Sequence, residues 1–298
     1  MPAPGAAGGQ IAGRVVDRTA PAHALARQAV RLEIVERGAS SERHALTDAQ
    51  GRFAFAGLPV GGLRVFLVGT VVGGVPYQSG RIVLTPSGPT AAVILVVYDP
   101  ARDRSGMQVA LVFGVVDVAR GGLRVSVIQR FQNPTDRTVV TSAQAPLVFP
   151  LPAGAEAVTF IGGWHDPRVT DGRIEDAIPI LPGALQVAYA YGLEARGRTL
   201  AVPWSFPDGA GDVEILVADQ GLGVAGDGLR RAGVVTEGGR RYQRWSGGPV
   251  PPGGRITVHL SGIPAAQDAW PGALAAALAC VLAGGLALAL RRPRHARA

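Results

Sequence analysis

The sequence predicts a mainly β protein with two β-sandwich domains followed by a single C-terminal transmembrane helix. Short runs of alternating or β-branched residues, separated by glycine and proline, fill most of the 298 residues, and no long helical periodicity precedes residue 269. The 42 glycines and 23 prolines are typical of a chain with many turns, and a mean hydropathy of +0.23 excludes a disordered chain. An uncharged apolar segment then occupies residues 269–290.

The first β-sandwich is predicted over residues 10–99. Its strand candidates are short runs of alternating or β-branched residues at 11–16, 29–35, 43–47, 63–68, 81–84 and 92–98, with one more strand after the turn at Gly51. Glycine is expected at such turns because it adopts positive φ without strain. The large apolar residues expected to face the core are Phe53, Phe55, Leu63, Val65 and Val68.

A sequence motif, T-D-x-x-G-x-F-x-F-x-x-L-P-x-G, runs through this domain. It consists of Thr47, Asp48, Gly51, Phe53, Phe55, Leu58, Pro59 and Gly61, and an upstream G-x-V-x-D consists of Gly13, Val15 and Asp17. The motif resembles that of the carboxypeptidase regulatory-like domain. The resemblance covers about the first third of the chain, and it implies a small transthyretin-like β-sandwich that is non-catalytic, not a peptidase.

The second β-sandwich-like domain is predicted over residues 107–264, after a short charged link. Its strand candidates lie at residues 109–116, 123–131, 157–160, 186–191, 213–217 and 255–260. Phe149–Pro152 and Leu181–Gly183 contain prolines and are expected to break strand pairing. No sharp family motif is present in this half of the chain.

The segment at 269–290 predicts a transmembrane helix, because about 20 apolar residues cross a bilayer core. Trp270 stands at one end, where aromatic rings prefer the interface, and Arg291, Arg292 and Arg294 follow the other end. Arginines concentrate on the cytoplasmic side of a membrane. We therefore expect a single-pass plasma-membrane protein whose bulk is extracytoplasmic.

The tail at 291–298 is then cytoplasmic. Small residues recur every fourth position of the helix, at Gly272, Ala276, Cys280 and Gly284, and this stripe is a candidate surface for packing against another helix. Cys280 is the sole cysteine, so no intrachain disulfide forms and the domains must be stabilised by burial alone.

The expected orientation requires export, yet the first residues contain no apolar signal-peptide core. Two explanations remain open. Either the signal lies upstream of this sequence or has been removed, or the protein is tail-anchored and its bulk stays in the cytoplasm. The arginine tail favours the first explanation.

The net charge of +7 does not predict nucleic-acid binding. All 29 basic residues are arginine, and four of them lie in the last eight residues. The remaining excess of base over acid is small and scattered, without the basic patch that a nucleic-acid interface requires.

The candidate ligand-binding residues are Trp164, His165 and Asp166, where a loop tryptophan stands beside a polar pair. The five histidines, His23, His44, His165, His259 and His295, lack metal-ligand spacing, and His259 is expected to point outward from a strand. Gly221–Gly226 spells G-x-G-x-x-G, but no helix-forming sequence follows, so we expect a β-turn loop and not a nucleotide site. We predict no catalytic set, metal or other cofactor.

These features predict a non-enzymatic, membrane-anchored binding or scaffold protein of the cell envelope. Membrane lipid is the expected partner, with another membrane protein or an envelope polysaccharide or peptide as further candidates. One alternative is an accessory subunit of a membrane redox, assembly or transport complex, which the small-residue stripe favours. A more distant alternative is a carbohydrate- or peptide-processing enzyme.

Overall fold

The computed structural model of the chain describes residues 8–119, 121–142 and 144–264. Every helix or strand assigned in these ranges is a β-strand, so the prediction of a mainly β protein is confirmed. Within these ranges no helix is long and apolar enough to cross a membrane. The predicted membrane segment at 269–290 and the tail at 291–298 lie outside the described residues.

The strands follow one another along the described part of the chain. The first nine are β1 (Gly9–Asp17), β2 (His23–Ala24), β3 (Ala29–Glu36), β4 (Ala39–Leu46), β5 (Arg52–Leu58), β6 (Arg64–Val72), β7 (Val75–Gln78), β8 (Thr90–Val97) and β9 (Pro100–Ala101). The next are β10 (Gln108–Ala119), β11 (Gly122–Asn133), β12 (Thr138–Val139), β13 (Leu147–Pro150), β14 (Ala155–Gly162), β15 (Arg168–Thr170), β16 (Arg173–Asp176) and β17 (Gly183–Glu194). The last are β18 (Thr199–Phe206), β19 (Asp212–Ala218), β20 (Gly223–Gly226), β21 (Leu229–Glu237), β22 (Arg240–Gly247) and β23 (Gly254–Ser261).

The first compact unit consists of the chain up to Arg104 together with Thr135–Val140. In one of its sheets β1 pairs antiparallel with β2 and β5 and parallel with β8. The other sheet is antiparallel, in the order β4-β3-β6-β7. Both sheets contribute to one apolar core, which contains the fully buried side chains of Ile11 and Phe66.

The segment Thr135–Val140 lies in the range that the sequence analysis assigns to the second domain. In the structure it returns to the first unit, where β12 pairs in parallel with β9. Its side chains take part in that unit: the hydroxyl groups of Thr138 and Tyr77 are hydrogen-bonded at 2.7 Å.

The turn before β5 is built around the predicted glycine. The Asp48 carboxylate accepts hydrogen bonds from the backbone N–H groups of Gln50 at 2.9 Å and Arg52 at 2.8 Å. Gly51 has a φ of 74°, and a Cβ built there would lie 2.6 Å from the carbonyl oxygen of Val15. The position therefore requires glycine on conformational and on steric grounds.

The prediction that Leu63 and Val65 face the core was wrong. The preceding turn contains two consecutive glycines with positive φ, Gly61–Gly62, and β6 begins only after Leu63. Because side chains alternate between the two faces of a strand, Phe66 points inward instead, on the same face as Val68, which is buried as predicted. Leu63 is 84% exposed. The two phenylalanines of β5 are buried, as predicted.

A strand was also predicted at residues 81–84, and the structure differs there. Ile82 forms an isolated bridge with Phe66, and Leu84 is buried. The apolar residues of this segment thus fill the core without forming a regular strand.

The second compact unit consists of Ser105–Pro134 and the chain from Thr141 onward. Its main sheet has seven strands in the order β14-β17-β11-β10-β19-β22-β21. Two three-stranded sheets, β13-β16-β15 and β18-β23-β20, accompany it in the described ranges. The strands predicted for this half of the chain correspond to β10, β11, β14, β17, β19 and β23.

The expectation that Phe149–Pro152 breaks pairing was wrong for its first residues. They belong to β13, which pairs antiparallel with β16. Leu147 and Phe149 alternate inward and are buried, while Pro150 ends the strand, where a missing N–H is tolerated.

The G-x-G-x-x-G run at Gly221–Gly226 was expected to form a β-turn loop. In the structure its last four residues instead form the strand β20. This strand pairs antiparallel with β23, and another strand, β21, follows it. The run therefore has the extended geometry of a sheet, and not that of a loop before a helix N-terminus.

The β18-β23-β20 sheet packs on one face of the seven-stranded sheet through Trp204 of β18. A Cβ built on Gly114 of β10 would lie 1.8 Å from Cη2 of this indole, and Trp204 is only 7% exposed. The indole therefore occupies the space that a side chain at Gly114 would need.

Candidate functional site

The predicted ligand loop follows β14, which lies at one edge of the seven-stranded sheet. Gly163 starts the loop with a φ of 81°, and a Cβ built there would lie 1.9 Å from the carbonyl oxygen of Gln186. This close approach lets the chain fold back over β17. The loop residues Trp164, His165 and Asp166 are thereby brought together beside β17.

The Trp164 side chain anchors this loop to the sheet. Its Nε1 donates a hydrogen bond to the carbonyl oxygen of Ala188 at 2.7 Å. Its ring lies edge-on to three others, with centroid distances of 5.0 Å to Phe149, 5.3 Å to Phe160 and 5.9 Å to Tyr189. Each such contact contributes about 0.5–1.5 kcal/mol beyond area burial. The indole N–H is therefore used within the fold.

The loop backbone is held by Asp176, a residue that the sequence analysis did not select. Its buried carboxylate accepts hydrogen bonds from the backbone N–H groups of His165 at 2.8 Å and Asp166 at 3.0 Å. The carboxylate of Asp166 pairs with Arg168 at 2.8 Å on the surface, and His165 is exposed. The loop thus presents an imidazole and an ion pair to solvent.

A second polar cluster lies in the seven-stranded sheet around Asp117 of β10, which is buried. The hydroxyl of Tyr242 donates to its Oδ1 at 3.1 Å, and Nη1 of Arg240 lies 3.9 Å from the same oxygen. Burial raises the pKa of the Asp117 carboxyl, while the Tyr242 hydrogen bond and the charges of Arg240 and Arg124 partly oppose this increase.

Asp117 should give the protein a specific pH-dependent stability. Because its pKa is raised in the folded state, the folded chain binds more protons than the unfolded chain above about pH 4, and the free energy of unfolding falls as pH rises. We expect Asp117→Asn to remove this decline and Tyr242→Phe to steepen it, since the Tyr242 hydroxyl lowers the pKa. Urea unfolding between about pH 4 and pH 8 measures the slopes; identical slopes in all three proteins would contradict this role.

A concave surface lies on the outer face of the β4-β3-β6-β7 sheet, and we call it the Gly69 groove. It has a volume of about 550 Å³ and is lined by residues that include Arg31, His44, Gly69, Val71 and Gln78. This volume is within the range of ordinary ligand sites.

The groove exists because one position in a row of residues across the sheet, Gly69, has no side chain. His44, Arg31, Gly69 and Gln78 are paired in that order across the four strands. Gly69 leaves a gap between Arg31 and Gln78. Val71, 59% exposed, lies on the same face two residues further along β6 and gives the groove an apolar side.

The polar side chains at the Arg31 end of the Gly69 groove are exposed to solvent. Arg31 Nη1 lies 2.8 Å from Glu42 Oε1, and His44 Nε2 lies 3.7 Å from Glu42 Oε2. These three side chains are between 43% and 69% exposed. Exposed ion pairs contribute only about 0–1 kcal/mol, so a ligand carboxylate can displace Glu42 from the guanidinium at little cost.

The remaining histidine prediction concerns His259, which is exposed as expected, between Ala201 and Ala225 on neighbouring strands. In the described ranges no three His, Cys, Asp or Glu residues are grouped so as to hold a metal ion. The residues predicted to contact the membrane or another helix lie outside the described residues: Trp270, Gly272, Ala276, Cys280, Gly284, Arg291, Arg292 and Arg294.

No family model and no curated protein match the chain. No family model therefore supports the resemblance of the N-terminal motif to the carboxypeptidase regulatory-like domain. The comparison with solved structures does find partial similarities of fold.

A candidate carbohydrate-binding protein from Pseudomonas aeruginosa is 17% identical over 30% of this chain and 88% of its own, with a TM-score of 0.22. An M1 zinc metallopeptidase from Deinococcus radiodurans is 16% identical, with a TM-score of 0.33; the match covers 52% of this chain and only 42% of the peptidase. A streptococcal ancillary pilin is 13% identical over 65% of this chain and 52% of its own, with a TM-score of 0.22. None of these similarities assigns an activity to the chain.

Proposed function

We propose that the chain is a non-enzymatic, membrane-anchored binding protein of the bacterial cell envelope. Its two β units are sandwich domains on the extracytoplasmic side of the plasma membrane, and the first is a carboxypeptidase regulatory-like module. The segment at 269–290 is a single transmembrane helix, and the arginine tail at 291–298 lies in the cytoplasm.

The observation that supports a binding role is the Gly69 groove. Arg31 and Gln78 stand on either side of Gly69, two strand spacings or about 10 Å apart, and both carry N–H donors. One carboxylate-bearing side chain can enter the gap and accept hydrogen bonds from the Arg31 guanidinium and the Gln78 amide. The exposed Val71 offers apolar contact beside it.

The composition of the groove favours an acidic peptide over a sugar as its ligand. Tyr77 is the Phe, Tyr or Trp residue of the lining, and it is only 5% exposed because its side chain points into the core. A sugar ring would therefore find no Phe, Tyr or Trp face to stack on. An extended peptide with carboxylate side chains fits the donors that are present.

The test is the binding of a fluorescent peptide of alternating glutamate and alanine to intact spheroplasts that express the full chain. We expect the glutamine analogue to bind less, and Gly69→Val or Arg31→Gln to weaken binding about ten-fold, which corresponds to about 1.4 kcal/mol. Gly69→Val closes the gap, and its Cβ would meet only the Tyr77 carbonyl oxygen, at 3.2 Å. Gly162→Val is the matched control, since a Cβ there meets nothing within 4 Å.

The outcomes separate the site from its location. Binding that appears only after the spheroplasts are lysed would favour the tail-anchored alternative, with the bulk in the cytoplasm. Equal binding by the wild type and both groove variants, or no binding to lysed membranes, would overturn the assignment of the groove.

A further inference from the structure

The described residues finish at one end of the second unit, just after Ile263. We call this end of the unit the exit end. The strands β10, β17, β19, β21 and β23 end there, and β11, β18, β20 and β22 begin there. The last strand, β23, ends with Ser261 paired to Thr199. Shortly after it, the backbone N–H of the buried Ile263 donates to the carbonyl oxygen of Arg198 at 3.1 Å.

The loop Ala195–Arg198, between β17 and β18, is fixed at both ends. The N–H of Ala195 donates to the carbonyl oxygen of Gly121 at 3.0 Å, and the Arg198 carbonyl oxygen accepts the Ile263 hydrogen bond. Arg196 and Arg198 are exposed, and neither side chain forms an ion pair within the part of the chain that the structure describes. The backbone of the loop is therefore fixed, and it carries two solvent-exposed guanidinium groups that no described carboxylate neutralises.

Other arginines of the exit end are engaged within the fold. Arg241 Nη2 lies 3.2 Å from Asp219 Oδ2, and Arg240 approaches the buried Asp117. Glu194, which ends β17, is exposed and forms no described ion pair with the loop. Arg196 and Arg198 thus differ from their neighbours in facing solvent without a partner among the described residues.

The loop is tethered close to the proposed membrane helix. Only Pro264 to Asp268 separate Ile263 from residue 269. Six residue steps of fully extended chain cover at most about 22 Å, so the Arg198 carbonyl oxygen lies within about 25 Å of the apolar segment. The lipid headgroup layer fills about 5–8 Å of that distance on each side of a bilayer.

We propose that Arg196 and Arg198 bind phosphate groups of lipids in the outer leaflet, so that the exit end of the second unit rests on the bilayer surface. This inference depends on the proposed function, because it requires the helix at 269–290. A guanidinium binds two phosphate oxygens at once. The fixed loop backbone also reduces the entropy that is lost on binding.

The test uses the full chain in vesicles of phosphatidylcholine and phosphatidylglycerol that contain a nickel-chelating lipid. In a Cys280→Ser background, a spin label is placed at Gly197→Cys or, as the control, at Pro252→Cys, an exposed position between β22 and β23 at the opposite end of the unit. The two ends of β23, which joins that loop to the exit end, are about 24 Å apart. We expect the nickel lipid to enhance relaxation several-fold more at residue 197 than at residue 252.

The arginines are tested in the same vesicles. Arg196→Gln with Arg198→Gln should reduce the enhancement at residue 197 several-fold. The matched pair Arg230→Gln with Arg231→Gln removes two exposed charges from the start of β21, about halfway along the seven-stranded sheet, and should leave the enhancement unchanged.

Two failures are distinguishable. If alkaline carbonate extracts the full chain from the vesicles, the proposed membrane anchor is wrong and this inference falls with it. If the chain resists extraction but residues 197 and 252 report equal proximity, or the Arg196 and Arg198 variant changes nothing, only the lipid-binding role of the loop is overturned.

Discussion

Gly114→Ala is expected to lower the free energy of unfolding by about 3 kcal/mol or more. The added methyl group would lie 1.8 Å from the Trp204 indole, which is nearly buried between two sheets and has no free space to move into. Relief requires the sheets to separate or the ring to leave its position, and both expose apolar surface. Urea unfolding at neutral pH, followed by tryptophan fluorescence, measures the change.

A matched control for this prediction is Gly192→Ala on β17 of the same sheet. A Cβ there would meet Glu156 Cγ at an ordinary 3.5 Å, so the change should be within about 1 kcal/mol. In a double-mutant cycle, Trp204→Leu should cost less in the Gly114→Ala background than in the wild type, because the collision has been removed. Additive effects would show that the two residues do not oppose each other.

Asp176→Ala is expected to destabilise the protein by about 3–6 kcal/mol, because two hydrogen bonds to a charged acceptor are lost and each contributes about 1.5–3 kcal/mol. The N–H groups of His165 and Asp166 lose their acceptor, and the loop that carries Trp164 is released. Near-ultraviolet circular dichroism should report the weakened packing of the aromatic cluster, and urea unfolding gives the free energy.

Asp166→Ala provides the comparison from the same loop. Its carboxylate is 65% exposed and pairs with an Arg168 side chain that is 75% exposed, so its removal should change stability by less than about 1 kcal/mol. Asp176→Asn keeps one acceptor oxygen and should fall between the two. Equal stability of the Asp176→Ala and Asp166→Ala variants would contradict the capping role of Asp176.

The strands that could be predicted from the sequence are those with a buried face. In β17 and β23 apolar side chains alternate with small or polar ones, so the period of two is visible. The strand β21, at a sheet edge, is mostly exposed and carries no such pattern, and it was missed. The shift at Leu63 was also unpredictable, because it depends on the length of a turn and not on hydrophobicity.

The candidate sites show a similar limit. The burial of Asp176 could have been predicted, since it alternates with Ile174, Ile178 and Ile180, which are all buried. The groups that it binds could not, because the loop is folded back by Gly163. The Gly69 groove combines residues of four separate strands, so it depends on a pairing register that no local sequence pattern contains.

The return of Thr135–Val140 to the first unit means that this unit is not one continuous stretch of the chain. The chain passes between the two units three times, at residues 104/105, 134/135 and 140/141. A gene fragment that stops at residue 104 would omit Thr138 and leave the buried Tyr77 hydroxyl without one of its partners. A fragment that contains the whole first unit must therefore extend to Val140 and carry Ser105–Pro134 of the second unit with it.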